Sequence, residues 1–354
     1  MDNQLLGKGT FGEVKVRNGQ AVKSFKKLRH LIQEVSVIRH MEDSPYIINC
    51  TSYSLERKEL VMPVYDSSLR DAMVKNRFTD RERKLIFHKI LMGVCHLHSR
   101  EILHSDLKPS NILVNFNPVD AVICDLGLSS STRFAKIYQT ARGYRLPDNE
   151  LSNTNGSIHD HFGLAVIGLE LFGRVRLRSA ITPEELRQEI LSKVADATIR
   201  ECLVGLTITD INNSSYVSVR GALMKIYNVD GALHFKPLKT VTPIMTQEDD
   251  RYFYEQMKAI TSENNIARGK LGYKVLKCRI EDPSYPLVSR KDYPLYIASM
   301  CVVMTAIFCH GKNIYDERSA LSVIGKKWTL KDIYRALYDI MEKPDLMNYL
   351  LCPS

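Results

Sequence analysis

The sequence predicts an α+β protein in which a strand-rich beginning gives way to helices that continue to the end of the chain. Three observations predict it. The opening residues read as short strands broken by glycine, in "LLGKGTFGEVKVRNGQAVKSF". A clear helical period of apolar residues runs through "ERKLIFHKILMGVCHLHSR" (82–100). Beyond residue 228 that period returns in 248–260, 266–280, 293–309, 316–326 and 329–342, with proline and glycine between the segments.

Each element has a local reason. "EVKVRN" and "GQAVKSF" are β-like and read as a hairpin, and "LRHLIQEVSVIRHM" (28–41) is a helix whose apolar stripe is Leu31, Val35 and Ile38. The segments after residue 228 suggest a small all-α domain of five or six helices around the apolar run 295–309. That run has 15 residues and includes Ser299 and Thr305; a membrane span needs about 20, so a buried core helix is expected. Thr329 followed by Asp332 resembles a helix-start cap.

Composition is that of an ordinary soluble globular protein, 44% hydrophobic and 25% charged, without low-complexity tracts. Eight scattered cysteines with no C-x-x-C pair read as reduced, buried thiols rather than disulfides or zinc ligands. The net charge of +9 is spread along the chain, and the densest basic run (267–279) reads as a helix with a solvated basic face. No nucleic-acid partner is expected. The polar start predicts no secretory leader. A cytoplasmic or nuclear protein, neither secreted nor membrane-spanning, is expected.

Four motifs carry chemistry. Gly7, Gly9 and Gly12, followed by Val14, fall in a G-x-G-x-x-G-x-V pattern, where glycines let backbone N–H groups approach phosphate oxygens closely. Because strands follow this motif, a nucleotide under a β-loop is favoured over a strand-to-helix dinucleotide site. Lys23 in "AVK" would sit on the α- and β-phosphates if Glu34 holds it. In "ILHSDLKPSNILV" (102–114) Asp106 would accept or orient the proton of an attacking hydroxyl, and Lys108 would neutralise charge building on the transferred group. Asn111, with Asp125 from "AVICDLGLSS", would hold Mg²⁺. Position 105 is a serine where H-R-D-L-x-x-x-N has arginine.

Together these motifs resemble a eukaryotic-type protein kinase domain over roughly residues 1–228. The resemblance implies a bilobal fold, with a β-rich N-lobe (about 1–63) and a helical C-lobe (about 66–228), followed by an all-helical domain at 229–354. Its D-F-G motif stands as Asp125-Leu126-Gly127, and "HDHFGLAVIGLELF" (159–172) matches the helix whose aspartate, here Asp160, would cap the catalytic-loop backbone. "ECLVGLTITDINNSSYVSVRGAL" (201–223) resembles the last two helices of the lobe. The D-L-K-P form implies serine/threonine rather than tyrosine specificity. ATP and Mg²⁺ are the implied cofactors, and a protein is the implied substrate. The implied ATP-binding set is Leu6, Gly7, Gly9, Gly12, Val14, Ala21, Lys23, Met62, Pro63 and Tyr65. Within the superfamily, "LVMPVYDSSLRDAM" is similar to the hinge of cyclin-dependent kinases, with Met62 as gatekeeper. "TARGYRLPDNEL" retains Tyr144, Arg145 and Pro147 of their T-x-W-Y-R-A-P-E-x-L.

The departures carry information too. Three arginines grip an activating phosphothreonine in cyclin-dependent kinases, and their places here hold Gln33, Ser105 and Ser130. Without bidentate arginine contacts a phosphate gains little by ordering a loop. An enzyme ordered by packing, independent of activation-loop phosphorylation, is expected. A pseudokinase that binds a partner without phosphoryl transfer is the competing reading. The layout of 229–354 resembles a cyclin box with an apolar central helix and a last helix opened by a threonine, in "WTLKDIYRALYDIM" (328–341). The lysine and glutamate typical of cyclins have no match; their places fall near Ile307 and Leu337. A fused cyclin-like domain would supply αC packing in cis. The lean, rearranged chain also resembles kinases of large DNA viruses.

Overall fold

A computed structural model describes residues 3–41, 44–75, 78–131, 144, 146, 156–177, 180–229, 292–308, 316–324 and 327–342. It forms two compact units. The first holds the described residues of Met1–Glu42, Asn49–Pro63 and Lys236–Ser354, and the second those of Asp43–Ile48 and Val64–Phe235.

The first unit begins with strands β1 (Leu5–Lys8), β2 (Gly12–Arg17) and β3 (Gln20–Phe25), then helix α1 (Leu28–His40), then β4 (Ser52–Ser54) and β5 (Glu59–Met62). They make one antiparallel sheet in the order β1-β2-β3-β5-β4. The β2–β3 hairpin turns on Asn18 (φ 50°) and Gly19 (φ 73°), a pair whose left-handed conformations match the twist of the flanking strands. Only Lys26 and Lys27 separate β3 from α1, and no side chain caps the start of that helix. Its placement therefore depends on packing.

The second unit contains β6 (Ser67–Ser68), α2 (Leu69–Val74), α3 (Asp80–Ser99), β7 (Ile102–Leu103), β8 (Ile112–Phe116), β9 (Val119–Ile123), β10 (Ser130–Ser131), α4 (Ser157–Phe172), α5 (Pro183–Lys193), α6 (Ala197–Leu206) and α7 (Val219–Tyr227). Thr79 and Glu82 form a reciprocal cap at the start of α3, and Thr182 and Glu185 do the same for α5, where Pro183 is the first helical residue. The core sits between α3 and α4: Phe87, Ile90, Leu97, Phe162, Leu164 and Ile167 are almost wholly buried. Each such side chain stabilises the unit by about 1.5–3 kcal/mol relative to exposure.

The first unit resumes with α8 (Tyr293–Phe308), α9 (Glu317–Ile324) and α10 (Leu330–Met341). These coincide with three of the five segments that periodicity predicted. The other two, 248–260 and 266–280, lie outside the described residues, as do Arg145 and Pro147 of the sequence reading and the basic run 267–279. Leu295, Ala298, Met300, Val302, Val303 and Ala306 bury α8, which packs on α9, α10 and α1. A helix that is apolar on all sides is stable in water only when covered on all sides, which is why the 295–309 run becomes the centre of this helical group. The Thr329–Asp332 cap is present, with the hydroxyl accepting from the Asp332 N–H at 3.3 Å and the carboxylate accepting from the Thr329 N–H at 2.9 Å. Among the described residues no helix is long and apolar enough to cross a membrane. Both expected lobes, β-rich and helical, are thus formed, with additional helices from the end of the chain.

Candidate active site

In the first unit the sheet register assembles the predicted nucleotide residues. Residues opposite one another in antiparallel strands share a face, and successive residues alternate. Gly7 pairs with Val14, Val14 with Lys23, and Ala21 with Met62. One face of the sheet therefore carries Gly7, Val14, Ala21, Lys23 and Met62. Leu6 and Pro63, near the strand ends, are exposed. A Cβ at Gly7 or Gly9 would meet nothing within 4 Å, so the backbone there is open to a ligand. Gly12 has a different duty: a Cβ there would lie 2.0 Å from the Ser24 carbonyl oxygen, so the close approach of β2 to β3 admits glycine alone.

On the same face Lys23 Nζ donates to both carboxylate oxygens of Glu34, at 2.9 and 2.6 Å. Lys23 is 8% and Glu34 1% exposed. A pair this buried is held by the packing of α1, because removing either partner leaves an uncompensated charge.

The second unit builds the other half of the predicted set. Asp106, Lys108 and Asn111 come from one loop between β7 and β8, closed by a 3₁₀ turn at Pro109–Asn111. Lys108 Nζ donates to Asp106 Oδ2 at 2.5 Å, and Asn111 Nδ2 donates to the same oxygen at 3.0 Å and to the Asp106 carbonyl at 2.9 Å. With its amide nitrogen so engaged, Asn111 keeps Oδ1 as its acceptor. Asp125 follows β9 in the left-handed region (φ 60°), and Ser105 sits there too (φ 66°). Non-glycine residues stay in that region only when their surroundings over-determine it, at a cost of about 1–3 kcal/mol each. Tyr65 also belongs to this unit and is half-buried. Its neighbour Asp66 is tied to β8, accepting from the Phe116 N–H at 2.8 Å and donating its own N–H to Asn115 Oδ1 at 3.1 Å.

Asp160 on α4 does what the resemblance implied: its carboxylate accepts from the backbone N–H groups of His104 and Ser105, both at 2.9 Å. His98 Nε2 lies 2.9 Å from the same carboxylate. Burial would raise the Asp160 carboxyl, but the bond and charge of His98, with His104, outweigh it and hold the carboxyl at about 2. His104 accepts from the Asp106 N–H through Nδ1 (3.2 Å) and donates from Nε2 to the Cys124 carbonyl (3.1 Å), so one imidazole ties the two ends of the site. Where two arginines were expected to be missing, the hydroxyls of Ser105 and Ser130 are 3.3 Å apart, across the paired strands β7 and β10.

Next to Asp160, burial above all, then the charge of His98, push the His161 imidazole down to about 3 against the opposing pull of Asp160. Neutral His161 lies 3.2 Å, through Nδ1, from the Tyr216 hydroxyl. The unfolded chain takes up this proton near pH 6.5, whereas the fold resists it until about 3. Its contribution is complete above pH 6.5 and is lost as pH falls toward 3, at up to about 1.4 kcal/mol per pH unit. Urea midpoints at pH 7 and pH 5 should therefore fall more steeply for the native chain than for His161→Phe; equal slopes would exclude this account.

A further network was missed by sequence reasoning. Glu170 of α4 is buried and accepts from Arg70 of α2 at 2.7 and 3.3 Å, from the Tyr144 hydroxyl at 2.7 Å and from the Leu177 N–H at 3.0 Å. Arg70 also donates to Tyr144. The available signal was one carboxylate inside the apolar run "GLAVIGLELF": a charge there demands a partner.

The family model for the protein kinase domain matches residues 2–218. The chain is 32% identical over 167 residues to the "Probable CTD kinase subunit alpha homolog" of Encephalitozoon cuniculi, covering 43% of this chain and 50% of that protein. It is 32% identical over 163 residues to Mitogen-activated protein kinase 3 of Oryza sativa (40% and 42% covered) and 33% identical over 152 residues to Mitogen-activated protein kinase 14 of Arabidopsis thaliana (40% and 42%). The matched part of the chain thus spans half or less of these relatives' length. With a domain model matching most of its length, the chain belongs to the protein kinase family.

Proposed function

We propose that this protein is a serine/threonine kinase that transfers the γ-phosphoryl group of Mg·ATP to protein hydroxyls. The observation that carries the reading is the loop in which Asp106, Lys108 and Asn111 converge while Asp160 pins the backbone beneath them. The residues fit the cofactors. One carboxylate (Asp125) and one amide oxygen (Asn111) suit a Mg²⁺ that keeps water and phosphate ligands. The open backbone at Gly7 and Gly9 suits the phosphates. When bound, ATP supplies the phosphoryl group. Lys23, held by Glu34, neutralises phosphate charge, Asp106 orients the attacking hydroxyl and takes its proton, and Lys108 offsets charge on the transferred group. The kinase domain is taken as residues 1–228, followed by a helical domain at 229–354.

The finer reading is that the enzyme needs no activation-loop phosphorylation. The Ser105–Ser130 contact supports it, since a short neutral pair occupies the place where arginines would await a phosphate. The packing of α8 on α1 supports regulation in cis by a cyclin-like region. The relatives' names, CTD kinase subunit and mitogen-activated protein kinases, favour a protein substrate over a small molecule. The test is radiolabelled phosphate transfer from ATP to a generic basic protein. The full chain should come from a bacterial host after phosphatase treatment, with Asp125→Asn as control. Label on serine or threonine that the control lacks is expected. No label from the native chain would favour a silent nucleotide-binding scaffold.

A further inference from the structure

In the first unit α1 has no solvent face: ten of its 13 residues are buried, including Ile32, Ser36 and His40 on the side opposite Glu34. A surface helix lying on one sheet normally keeps a polar face in water. Among the described elements those packed most closely on α1 are β3, β5 and α8, so the sheet and a C-terminal helix both contribute to this burial. A second contact comes from α10. The Tyr338 hydroxyl accepts from the Leu55 N–H at 2.7 Å and donates to Glu56 Oε2 at 2.8 Å. Its ring lies 5.5 Å from that of Tyr53 on β4, and the Arg39 guanidinium of α1 lies 5.9 Å from the Tyr53 ring. A continuous set of side chains therefore joins the last turns of α1 to α10 through β4.

We propose that helices α8, α9 and α10 are a built-in activating element: by holding α1 they keep Glu34 on Lys23, and Tyr338 is the positioning residue that locks them to the sheet. This rests on reading Lys23 and Glu34 as the nucleotide-handling pair. The short β3–α1 link and the absent side-chain cap leave the orientation of α1 to its packing. The residues of α1 away from the sheet are already buried, so these helices stand where an ordering partner would have to bind.

The test uses the full chain and reads the pair directly. Lys23 is labelled with an amine-reactive acyl phosphate and quantified by peptide mass spectrometry against exposed Lys84 as internal standard. Glu34→Gln sets the rate for an open pair. Tyr338→Phe removes only the hydroxyl, and Tyr338→Ala the ring as well; melting curves check that each is folded. Tyr338→Phe is expected to raise Lys23 labelling about three- to tenfold, the population shift that one or two lost hydrogen bonds allow. Tyr338→Ala should approach Glu34→Gln, and kcat should fall in parallel with KM for the protein substrate unchanged. Labelling that stays at the native rate in both folded variants overturns the proposal, as does a native rate equal to that of Glu34→Gln. The labelling needs no turnover, so an absence of phosphoryl transfer would sink the kinase reading without deciding this one.

Discussion

Asp106→Asn is expected to lower kcat for phosphoryl transfer by about 10²–10⁴-fold, the range over which a positioned acid or base contributes. The substitution keeps the side chain's shape and removes its charge and basicity. In the native loop one carboxylate oxygen takes both the Lys108 ammonium and the Asn111 amide, so the aspartate is held rather than free to rotate. Asparagine retains an oxygen for one of those donors but cannot accept the hydroxyl proton. Nucleotide affinity should be nearly unchanged, because the glycine loop, Lys23 and the residues assigned to the adenine lie elsewhere in the sequence. Initial rates and a nucleotide titration on the same preparation check both halves. Turnover within about twofold of native would remove Asp106 from the mechanism, since it would lie far below any general-base effect.

Glu170→Ala is expected to cost about 3–5 kcal/mol of stability, the range for breaking a buried charge pair from one side. Burial pushes the Glu170 carboxyl up, and Arg70, with the Leu177 N–H, opposes that rise. Removing the carboxylate takes the counter-charge from Arg70 and the acceptor from both the Tyr144 hydroxyl and the Leu177 N–H. Urea unfolding measures the loss. Arg70→Ala should be comparably harmful and the double variant much less than additive, because each single change leaves the other charge alone. Tyr144→Phe removes the two hydrogen bonds of one hydroxyl, donated to Glu170 and accepted from Arg70, but no charge, and should cost only about 1–3 kcal/mol. Additive losses for Arg70 and Glu170 would show that the two act independently.

These two expectations differ in how far they were legible beforehand. Asp106, Lys108 and Asn111 lie within six positions of one another, and a loop that short keeps its side chains together almost regardless of what surrounds it. Their spacing was therefore enough to name the chemistry. The strands and helices were legible for a similar reason, since turn glycines and apolar periods act over a few residues. The role of Gly12 was not: it answers to the Ser24 carbonyl of the neighbouring strand rather than to its own motif.

Tertiary structure decided the rest. Arg70 and Glu170 are 100 positions apart, and Leu55 and Tyr338 are 283 apart. A lone glutamate in an apolar helix announces that it needs a partner, but many arginines could answer, and only packing selects one. The same holds for the final helices. Their apolar stripe required a covering surface, and the period of that stripe carried no information about which. The structure shows α8 on α1, the helix that carries Glu34. Short-range spacing encodes which groups can react, whereas the burial that holds them in place is a property of the whole fold, because apolar surface is covered by whatever complementary surface the folded chain brings to it.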